Sequence, residues 1–431
     1  MQTSGKEKVV FLDERQGKLR KCFLPILLAG MMEFLLVGKV YSQPASPYEK
    51  MLNITWHIGP DMPQSFQDSN GGIIIDDAGR HILISACGFT NSSHFLKKVY
   101  ALDLENQAAG WFALPDYPTS PRQGLFGDVA NNKLYLWGGF NYTSPNNYKD
   151  GYRLSKNGGD WSWDTLPDLP WIMCSAAAAV VGSKIYIMGG AHYIKGKGFY
   201  TVFEHGGPNP DLGAHLMVID TDDMASGWQL LSDCPGTPRF VHAMAPINGK
   251  LYVIGGAARL LGGPMHTVVD NWKYDPHTDK WTRLADLPVA SGNFPDNSLV
   301  FNNRYIILTC GYDYKRVFNN RLEVPNYGKP LVSEQVPPLG TGLNADVFVY
   351  DVKRNRFGGS DTLPLNNNLP VAAILGNEIF LMGGETGGAR LTDYPDGARY
   401  DPNGTYYEHR PNLCLIGTID QSQQCGDFEI P

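Results

Sequence analysis

The most regular feature of the chain is a run of apolar residues that ends in two adjacent glycines. In GKLYVIGG (249–256) a turn residue precedes the run, which has the length and composition of a buried β-strand. Similar stretches are NKLYLWGG (132–139), SKIYIMGG (183–190), NEIFLMGG (377–384), RHILISACG (80–88) and RYIILTCG (304–311). In the last two, a cysteine takes the place of the first glycine. The chain therefore contains six copies of one unit.

Each copy lies within the same order of features. A proline-containing turn comes first, followed by an apolar strand, a two-residue turn and the strand that ends in the glycine pair. A third strand ends in aspartate, and an aromatic residue closes the unit. These aromatic residues are Trp111, Trp163, Trp228, Trp281 and Phe357. Four short strands in each repeat predict the blades of a β-propeller.

The glycine pair and the spaced aromatic residue resemble the kelch repeat, over roughly residues 52–410. The resemblance implies an all-β, six-bladed kelch-type β-propeller, with seven blades as the alternative. Trp56 is a blade-ending aromatic residue with no strands before it, so we expect the N-terminal strand to complete the last blade and close the ring. We expect the glycines where a strand approaches a neighbouring backbone, and the aromatic residues between adjacent blades.

The two ends of the chain differ from the repeats. Basic residues precede the apolar stretch CFLPILLAGMMEFLLVG (22–38), which is typical of a signal peptide or a signal anchor. A buried or disordered N-terminal segment is the alternative. We therefore divide the chain into a leader (1–42), a propeller (43–410) and a C-terminal tail (411–431). This division predicts a secreted, periplasmic or extracellular protein, which contacts a membrane only if the leader is retained as an anchor.

Sequons and cysteines are compatible with such a compartment. Predicted N-glycosylation sites are Asn53, Asn91, Asn141 and Asn403. Once the leader is removed, six cysteines remain. Cys414 and Cys425 flank a short C-terminal segment, and we predict that these two form a disulfide.

Charge and motifs exclude several classes of function. The net charge is -7, and no basic run occurs beyond the N-terminus, so we do not expect nucleic acid as a partner. The chain has no motif of the serine-hydrolase elbow, zinc-protease, P-loop or CxxC type. We therefore predict neither a metal site nor a cofactor.

Two arginines mark the start of an inner strand. Arg122 and Arg239 each lie sixteen residues before a glycine pair. In kelch domains that bind acidic ligands, arginines at such positions face the axial opening, and the resemblance implies the same role here. Two guanidiniums in one opening would bind a carboxylate, sulfate or phosphate through paired hydrogen bonds. The alternative is that each arginine pairs with an acidic residue of a neighbouring blade or reaches solvent.

A mixture of aromatic and polar residues follows the glycine pairs. His192, Tyr193, Arg259 and Tyr312 belong to this group, and we predict that they bind a ligand together with the two arginines. Aromatic faces beside polar groups suit sugar rings. Glu385 is the carboxylate of this group, and an aromatic-lined funnel would adjust it for acid–base catalysis. An exposed loop glutamate is the alternative.

The overall layout is similar to that of secreted bacterial N-acetylneuraminate epimerases, with long insertions at 191–214 and 312–345. GGETGGARLTD (383–393) resembles the last-blade phrase of that family. The resemblance implies interconversion of sialic acid anomers by ring opening and reclosure, with a carboxylate that transfers protons. The family's proposed catalytic glutamate is replaced by Ala257, and His266 lies near the place of its arginine. Catalysis would then fall to Glu385 or His266, or the activity is absent.

Three functions are consistent with these patterns. The first is an extracytoplasmic propeller that binds a sugar or sugar acid in its axial funnel, as an epimerase-like isomerase. The second is a non-catalytic module that binds an extracellular protein or a polysaccharide. The third, a copper radical oxidase, also has kelch repeats, but this chain lacks its size and a recognisable set of copper ligands.

Overall fold

Six four-stranded antiparallel sheets surround a central axis in the computed structural model. The structure describes residues 48–90, 94–196, 198–201, 212–259, 265–295, 297–309, 311–312, 345–364, 366–387, 408–409 and 412–421. The innermost strand of each sheet contacts the innermost strands of the two neighbouring sheets, and these contacts run completely around the axis. The predicted six-bladed β-propeller is confirmed.

The strands of each blade are given from the axis outward. Blade one consists of Asn70–Ile75, His81–Phe89, Phe95–Asp103 and Phe112–Leu114. Blade two consists of Gln123–Ala130, Lys133–Phe140, Gly151–Asn157 and Asp160–Leu166. Blade three consists of Ala177–Val181, Lys184–Met188, Leu216–Asp220 and Gln229–Leu230. Blade four consists of Ala243–Ile247, Lys250–Ile254, Trp272–Asp275 and Lys280–Arg283. Blade five consists of Leu299–Phe301, Tyr305–Thr309, Val347–Asp351 and Arg356–Gly359. Blade six consists of Val371–Leu375, Glu378–Met382, Cys414–Ile419 and Ile54–Ile58.

Blade six joins strands from both ends of the propeller. Its outermost strand, Ile54–Ile58, pairs antiparallel with Cys414–Ile419, and Trp56 lies opposite Gly417 in the register. The N-terminal strand therefore closes the ring, as predicted. The third strand of this blade lies beyond residue 410, so the propeller includes residues that the sequence analysis assigned to the C-terminal tail.

The hydrophobic core is divided into clusters that lie between adjacent blades. Each of six such clusters includes one of the aromatic residues that end the repeats: Trp56, Trp111, Trp163, Trp228, Trp281 and Phe357. The indole of Trp163 also donates a hydrogen bond of 3.0 Å to the carbonyl oxygen of Pro115, in the link from the preceding blade. These aromatic residues pack between blades, as the sequence predicted.

The glycine pairs join each blade to the next. The N–H of Gly256 in blade four donates to the carbonyl oxygen of Ser291 in blade five at 2.9 Å. The equivalent bonds run from Gly88 to Arg122, Gly139 to Met173, Gly190 to Arg239, Gly311 to Asn367 and Gly384 to Phe66. Gly255 has a φ of 60°, and a Cβ there would lie 2.5 Å from the same Ser291 oxygen. At Gly255, a side chain would therefore collide with the backbone of the neighbouring blade.

A ring of backbone hydrogen bonds surrounds the axis where the inner strands begin. Its six N–H groups donate from Asp68 to Leu369, Leu369 to Asn293, Asn293 to Val241, Val241 to Ser175, Ser175 to Gly124 and Gly124 to Asp68. The bonds measure 2.8 to 3.1 Å, and all six residues have left-handed φ values between 45° and 65°. We call these six residues the hub ring. Each blade contributes one of them, so the ring fixes the spacing of the blades around the axis.

Three small two-stranded ribbons follow the glycine pairs of blades three, four and six. They consist of His192–Ile194 with Gly198–Tyr200, Ala257–Ala258 with His266–Thr267, and Thr386–Gly387 with Glu408–His409. We call the face that carries the glycine pairs and these ribbons the upper face. Short 3-10 helices span Gln107–Ala109, Leu212–Ala214 and Met224–Ser226. Among the described residues, no helix has the length and apolar character needed to cross a membrane.

Candidate functional site

Aromatic side chains from four blades form one continuous group on the upper face. The upper aromatic cluster consists of Phe89, Phe95, Phe140, Tyr142, Tyr193, Phe199 and Phe240. Its ring centroids lie 4.8 Å apart for Phe95 and Tyr142, and 5.0 Å apart for Phe140 and Tyr193. Tyr142 is 40% exposed, whereas Phe140 is buried. The cluster thus has a buried base and an exposed edge, which suits stacking against the apolar face of a sugar.

Backbone hydrogen bonds hold the predicted ligand-binding residue Tyr193 in this cluster. The Asn147 side chain donates to the Tyr193 carbonyl oxygen and accepts from its N–H, both at 2.8 Å. Asn147 belongs to blade two and Tyr193 to the ribbon of blade three, so the two blades are joined at the upper face. These two bonds hold the backbone of Tyr193 beside the other rings of the cluster.

The structure places Arg122 inside blade two instead of in the axial opening. The side chain is completely buried, and its Nη1 donates to the Gly138 carbonyl oxygen at 3.0 Å and to the Asp150 carboxylate at 2.6 Å. The guanidinium also lies 3.6 Å from the centroid of the Tyr148 ring. The predicted ligand-binding role of Arg122 is therefore wrong: an aspartate and a backbone carbonyl of its own blade occupy its donors.

Arg239 is buried in the same way in blade four. Its Nη1 donates to the carbonyl oxygens of Gly255 at 3.0 Å and Asp270 at 2.7 Å, and its Nη2 donates to the Asp270 carboxylate. Although burial opposes the shift, Arg239 and the Trp272 indole hold the pKa of Asp270 below its ordinary value. Arg239 is therefore a structural residue as well, and its predicted ligand-binding role is wrong.

Blade six has an amide at the equivalent position. The Asn367 side chain donates to the Gly383 carbonyl oxygen at 3.0 Å, sixteen residues away, as Arg122 and Arg239 do to their own glycines. The regular spacing that the sequence revealed therefore reflects a repeated bond to the first residue of the glycine pair.

Arg259 is the predicted arginine that does reach the upper face. It is half-buried, and its guanidinium lies 4.7 Å from the centroid of the Tyr200 ring in the ribbon of blade three. Its backbone carbonyl accepts from the N–H of Thr201 at 2.9 Å, which ties this ribbon to blade four. A half-exposed cation beside an aromatic ring is suited to binding a carboxylate.

The other two predicted ligand-binding residues differ in accessibility. His192 is half-buried in the ribbon of blade three, and burial lowers the pKa of its imidazole, so the ring is neutral at pH 7. Tyr312 is only 2% exposed and packs against Phe240, Val241 and Met265. Tyr312 therefore supports the floor of the upper face and presents little surface to a ligand.

The two predicted catalytic residues lie on different blades. Glu385 follows the glycine pair of blade six and is only 6% exposed, which excludes the alternative of an exposed loop glutamate. Asn368 Nδ2 donates to its carboxylate at 3.1 Å, and the two backbones pair with each other at 2.8 and 2.9 Å. His266 is half-buried in the ribbon of blade four, opposite Ala258.

Asp68 is the carboxyl residue of the hub ring, and no sequence pattern had pointed to it. Asp68 is 5% exposed, and within the described part of the chain its Oδ1 has no hydrogen-bond partner. Burial raises its pKa to about 7. Its position could not be found from residue type, because the six hub-ring positions hold six different residues, including Leu369 and Val241.

Two predicted modifications disagree with the structure. Asn141 is buried, and its Nδ2 donates to the Pro121 carbonyl oxygen at 2.9 Å and to the Tyr148 hydroxyl at 2.7 Å, so the folded protein cannot carry a glycan there. Cys414 lies in the buried third strand of blade six and has a free thiol. The predicted bond from Cys414 to Cys425 is therefore not formed, and Cys425 itself lies outside the described residues.

The remaining modification sites are not decided by the fold. Asn53 is half-buried and stays a predicted glycosylation site, whereas Asn91 and Asn403 lie outside the described residues. The leader and most of the second insertion also lie outside them. Among the residues that the structure does describe, no group of three or more His, Cys, Asp or Glu side chains is arranged to hold a metal ion.

Comparison with protein families identifies the repeat. A family model described as "Kelch motif" matches residues 238–288, which include the inner strand and the glycine pair of blade four. The other five blades repeat the same strand order and the same bond between neighbouring blades. The chain is a six-bladed β-propeller with a kelch motif in blade four.

Known relatives of this kelch propeller include N-acetylneuraminate epimerases. That of Haemophilus influenzae (strain 86-028NP) is 24% identical over 368 residues, which cover 79% of this chain and 92% of the relative. That of Pasteurella multocida (strain Pm70) is 22% identical over 367 residues, with the same coverage. A solved structure titled "Structure of YjhT" has a TM-score of 0.58 at 18% identity and covers 84% of this chain and 99% of the other. The chain is thus similar in sequence to N-acetylneuraminate epimerases over most of their length, and the structural likeness supports the propeller fold.

Proposed function

We propose that the propeller binds a sialic acid or a closely related sugar acid on its upper face and interconverts the two anomers. The observation that carries this proposal is the extent of the sequence similarity. The alignment includes 92% of the length of an N-acetylneuraminate epimerase, far more than a single shared repeat would give. Similarity over the whole ring includes the loops of the upper face, where propellers bind ligands.

The upper face has two features suited to a sugar acid. The exposed edge of the upper aromatic cluster, at Tyr142 and Tyr193, would stack against the pyranose ring. Arg259 would pair with the carboxylate of the ligand in the role first assigned to Arg122 and Arg239. Both features lie on blades two to four.

Anomer exchange has simple chemical requirements. The anomeric hydroxyl must lose a proton, the bond from the anomeric carbon to the ring oxygen must break, and the ring oxygen must gain a proton. A carboxyl group close to the sugar can perform these transfers. Glu385 on blade six, which is bonded to the Asn368 amide, is the carboxyl group that the sequence predicted for this role.

Proton NMR of freshly dissolved N-acetylneuraminic acid tests this function directly. We expect the purified protein to increase the rate at which the two anomers reach equilibrium. We expect Arg259→Ala to raise the KM more than it lowers kcat, since the lost ion pair is made in both the ground state and the transition state. Lys98→Ala, which removes an exposed ion-pairing group on blade one, serves as the control. If the wild-type protein leaves the equilibration rate unchanged, the epimerase proposal is wrong.

One observation favours a second candidate, a propeller that binds the sugar without converting it. Ala257, in the position of the family's proposed catalytic glutamate, is buried and has no group that could transfer a proton. In this case sialic acid would still bind, and calorimetry would measure an affinity that depends on Arg259. The two candidates are therefore separated by measuring binding and anomer exchange on the same preparation.

We also propose that the propeller acts outside the cytoplasm. The support for this is the predicted leader, whose apolar stretch follows basic residues as in exported proteins. Expression of the full chain, followed by fractionation and N-terminal sequencing of the product, tests both export and cleavage near residue 42. Recovery of the intact chain from the cytoplasm would contradict this proposal.

A further inference from the structure

The hub ring places one carboxyl group at the centre of the upper face. Asp68 donates its N–H to Leu369 of blade six at 3.0 Å and accepts from the N–H of Gly124 of blade two at 2.9 Å. The side chain of the next residue, Ser69, bonds to the Cys87 carbonyl oxygen within blade one. The backbone of Asp68 is thus held on both sides, and its left-handed φ of 53° is maintained by these bonds.

One oxygen of the Asp68 carboxyl group is buried and has no hydrogen-bond partner among the described residues. The residue is 95% buried by area, and the oxygen without a partner is Oδ1. Buried polar atoms without partners are rare in folded proteins, because each costs the free energy of its lost hydration. An uncompensated carboxyl oxygen at a hub where propellers bind ligands is best explained by a partner that arrives with the ligand.

The surroundings of Asp68 raise the pKa of its carboxyl group to about 7. Its ring neighbours Leu369 and Gly124 carry no charge, and burial alone causes this rise in pKa. The titratable group on the adjoining element of blade six is Glu385, bonded to Asn368, the residue before Leu369. A carboxyl group with a pKa near the working pH is the most effective proton-transfer group.

We propose that Asp68 is the proton-transfer residue of the anomer exchange. This inference rests on the proposed function and identifies which side chain replaces the glutamate lost at position 257. The Asp68 carboxylate removes the proton of the anomeric hydroxyl while the bond from the anomeric carbon to the ring oxygen breaks. The electron pair of that bond moves to the ring oxygen, which takes a proton from solvent water, and the open-chain ketone forms. Reclosure on the other face of the ketone returns both protons.

Asp68→Asn is a well-matched test, since it removes the charge and keeps the shape. Asn293 occupies the equivalent hub-ring position in blade five with a φ of 56°, so asparagine is compatible with this ring. The control is Asp128→Asn. Burial also raises the pKa of Asp128 to about 7, but this residue lies four positions further along the inner strand of blade two, about 13 Å from the hub ring.

The rate of N-acetylneuraminic acid anomer exchange is measured by NMR for the wild type and both variants. We expect Asp68→Asn to lower kcat by roughly 100-fold or more and Asp128→Asn to leave it unchanged. We also expect the wild-type kcat to rise with pH through about pH 7, as the Asp68 carboxylate forms.

The outcomes separate this inference from the proposed function. An active wild type with an equally active Asp68→Asn variant overturns the role of Asp68 and leaves the epimerase function intact. An inactive wild type overturns both. If the variant does not fold, the wild-type pH profile decides, since a kcat that is constant between about pH 5 and pH 9 also overturns the role of Asp68.

Discussion

The Arg239 guanidinium donates to both the backbone carbonyl and the carboxylate of Asp270, and it does so entirely within blade four. In blade two, Arg122 donates to both carboxylate oxygens of Asp150. In both blades the arginine also donates to the carbonyl oxygen of the first residue of the glycine pair. It therefore connects the start of the inner strand to the second and third strands of its blade. These arginines hold the blades together where a ligand role had been expected.

Replacing a buried arginine should therefore destabilise the fold. We expect Arg239→Met to lower the free energy of unfolding by about 3–5 kcal/mol, because the largely shielded Asp270 carboxylate would lose its cationic partner and the Gly255 carbonyl oxygen would lose a buried donor. The control is Lys149→Met, which breaks a pair with Asp168 in which both side chains are half exposed, and it should cost less than about 1 kcal/mol. Urea denaturation measures both values. Equal losses in the two variants would contradict the structural role of Arg239.

The glycine pairs can be tested with two alanine substitutions. Gly255 and Gly249 both have left-handed φ values, 60° and 71°, so alanine strains the backbone at either site by about 1–2 kcal/mol. Only at Gly255 would the new Cβ also meet a backbone oxygen of the next blade, 2.5 Å away, whereas nothing lies within 4 Å at Gly249. We expect Gly255→Ala to reduce the thermal midpoint much more than Gly249→Ala. Similar midpoints would show that the blades can move apart at little cost.

Stability should fall as the pH rises toward neutrality. The pKa of Asp68 is raised from its ordinary value of 3.8 to about 7, so the folded protein keeps a proton that the unfolded chain releases between these two values. The free energy of unfolding therefore decreases across this window, by up to about 1.4 kcal/mol per pH unit. Asp68→Asn has no such proton, and its stability relative to the wild type should increase from about pH 4 to pH 7 and then level off.

Urea titrations at several pH values measure this difference. Asp128→Asn should produce a change in the same direction, because burial also raises the pKa of Asp128 to about 7. The double variant should show the sum of both effects, since the residues lie on different blades. Parallel stability curves for the wild type and Asp68→Asn would contradict the raised pKa.

Closure of the ring can be tested within a single strand. Ile54 is 2% exposed and packs in the cluster between blades five and six, whereas Ile58, four residues later, is 45% exposed. We expect Ile54→Ala to cost about 2–5 kcal/mol and Ile58→Ala less than about 1 kcal/mol. Urea denaturation monitored by circular dichroism measures both values. A negligible effect at Ile54 would mean that the closing strand contributes little to the ring.

The fold could be predicted because its determinants recur locally. The glycine pair, the hairpin turn and the final aromatic residue each lie within a few residues of the strand they define, and the inter-blade role of Trp163 followed from that position. Closure of the ring by the N-terminal strand could be predicted from Trp56, because this blade-ending aromatic residue has no strands of a repeat before it. The third strand of blade six was not recognised, because it lies far along the chain from the glycine pair it follows.

The hub was less predictable, because blade length varies. The hub-ring residue precedes the first residue of the glycine pair by 14 positions in four blades, but by 19 in blade one and 17 in blade five. A constant spacing of 14 therefore selects residue 296 in blade five, where the structure has Asn293, and Ile73 in blade one, where the structure has Asp68. The ion pair of Arg239 could not be predicted either, because its partner Asp270 lies 31 residues away and no local pattern identifies it.

The sharing of blade six between the two ends of the propeller has a consequence for biosynthesis. Strand Ile54–Ile58 is among the first parts of the propeller to leave the ribosome, yet its partner strand, Cys414–Ile419, is among the last. Until translation reaches that segment, five blades can assemble in sequence while the first strand has no partner. The final step of folding therefore joins the oldest and newest segments of the nascent polypeptide.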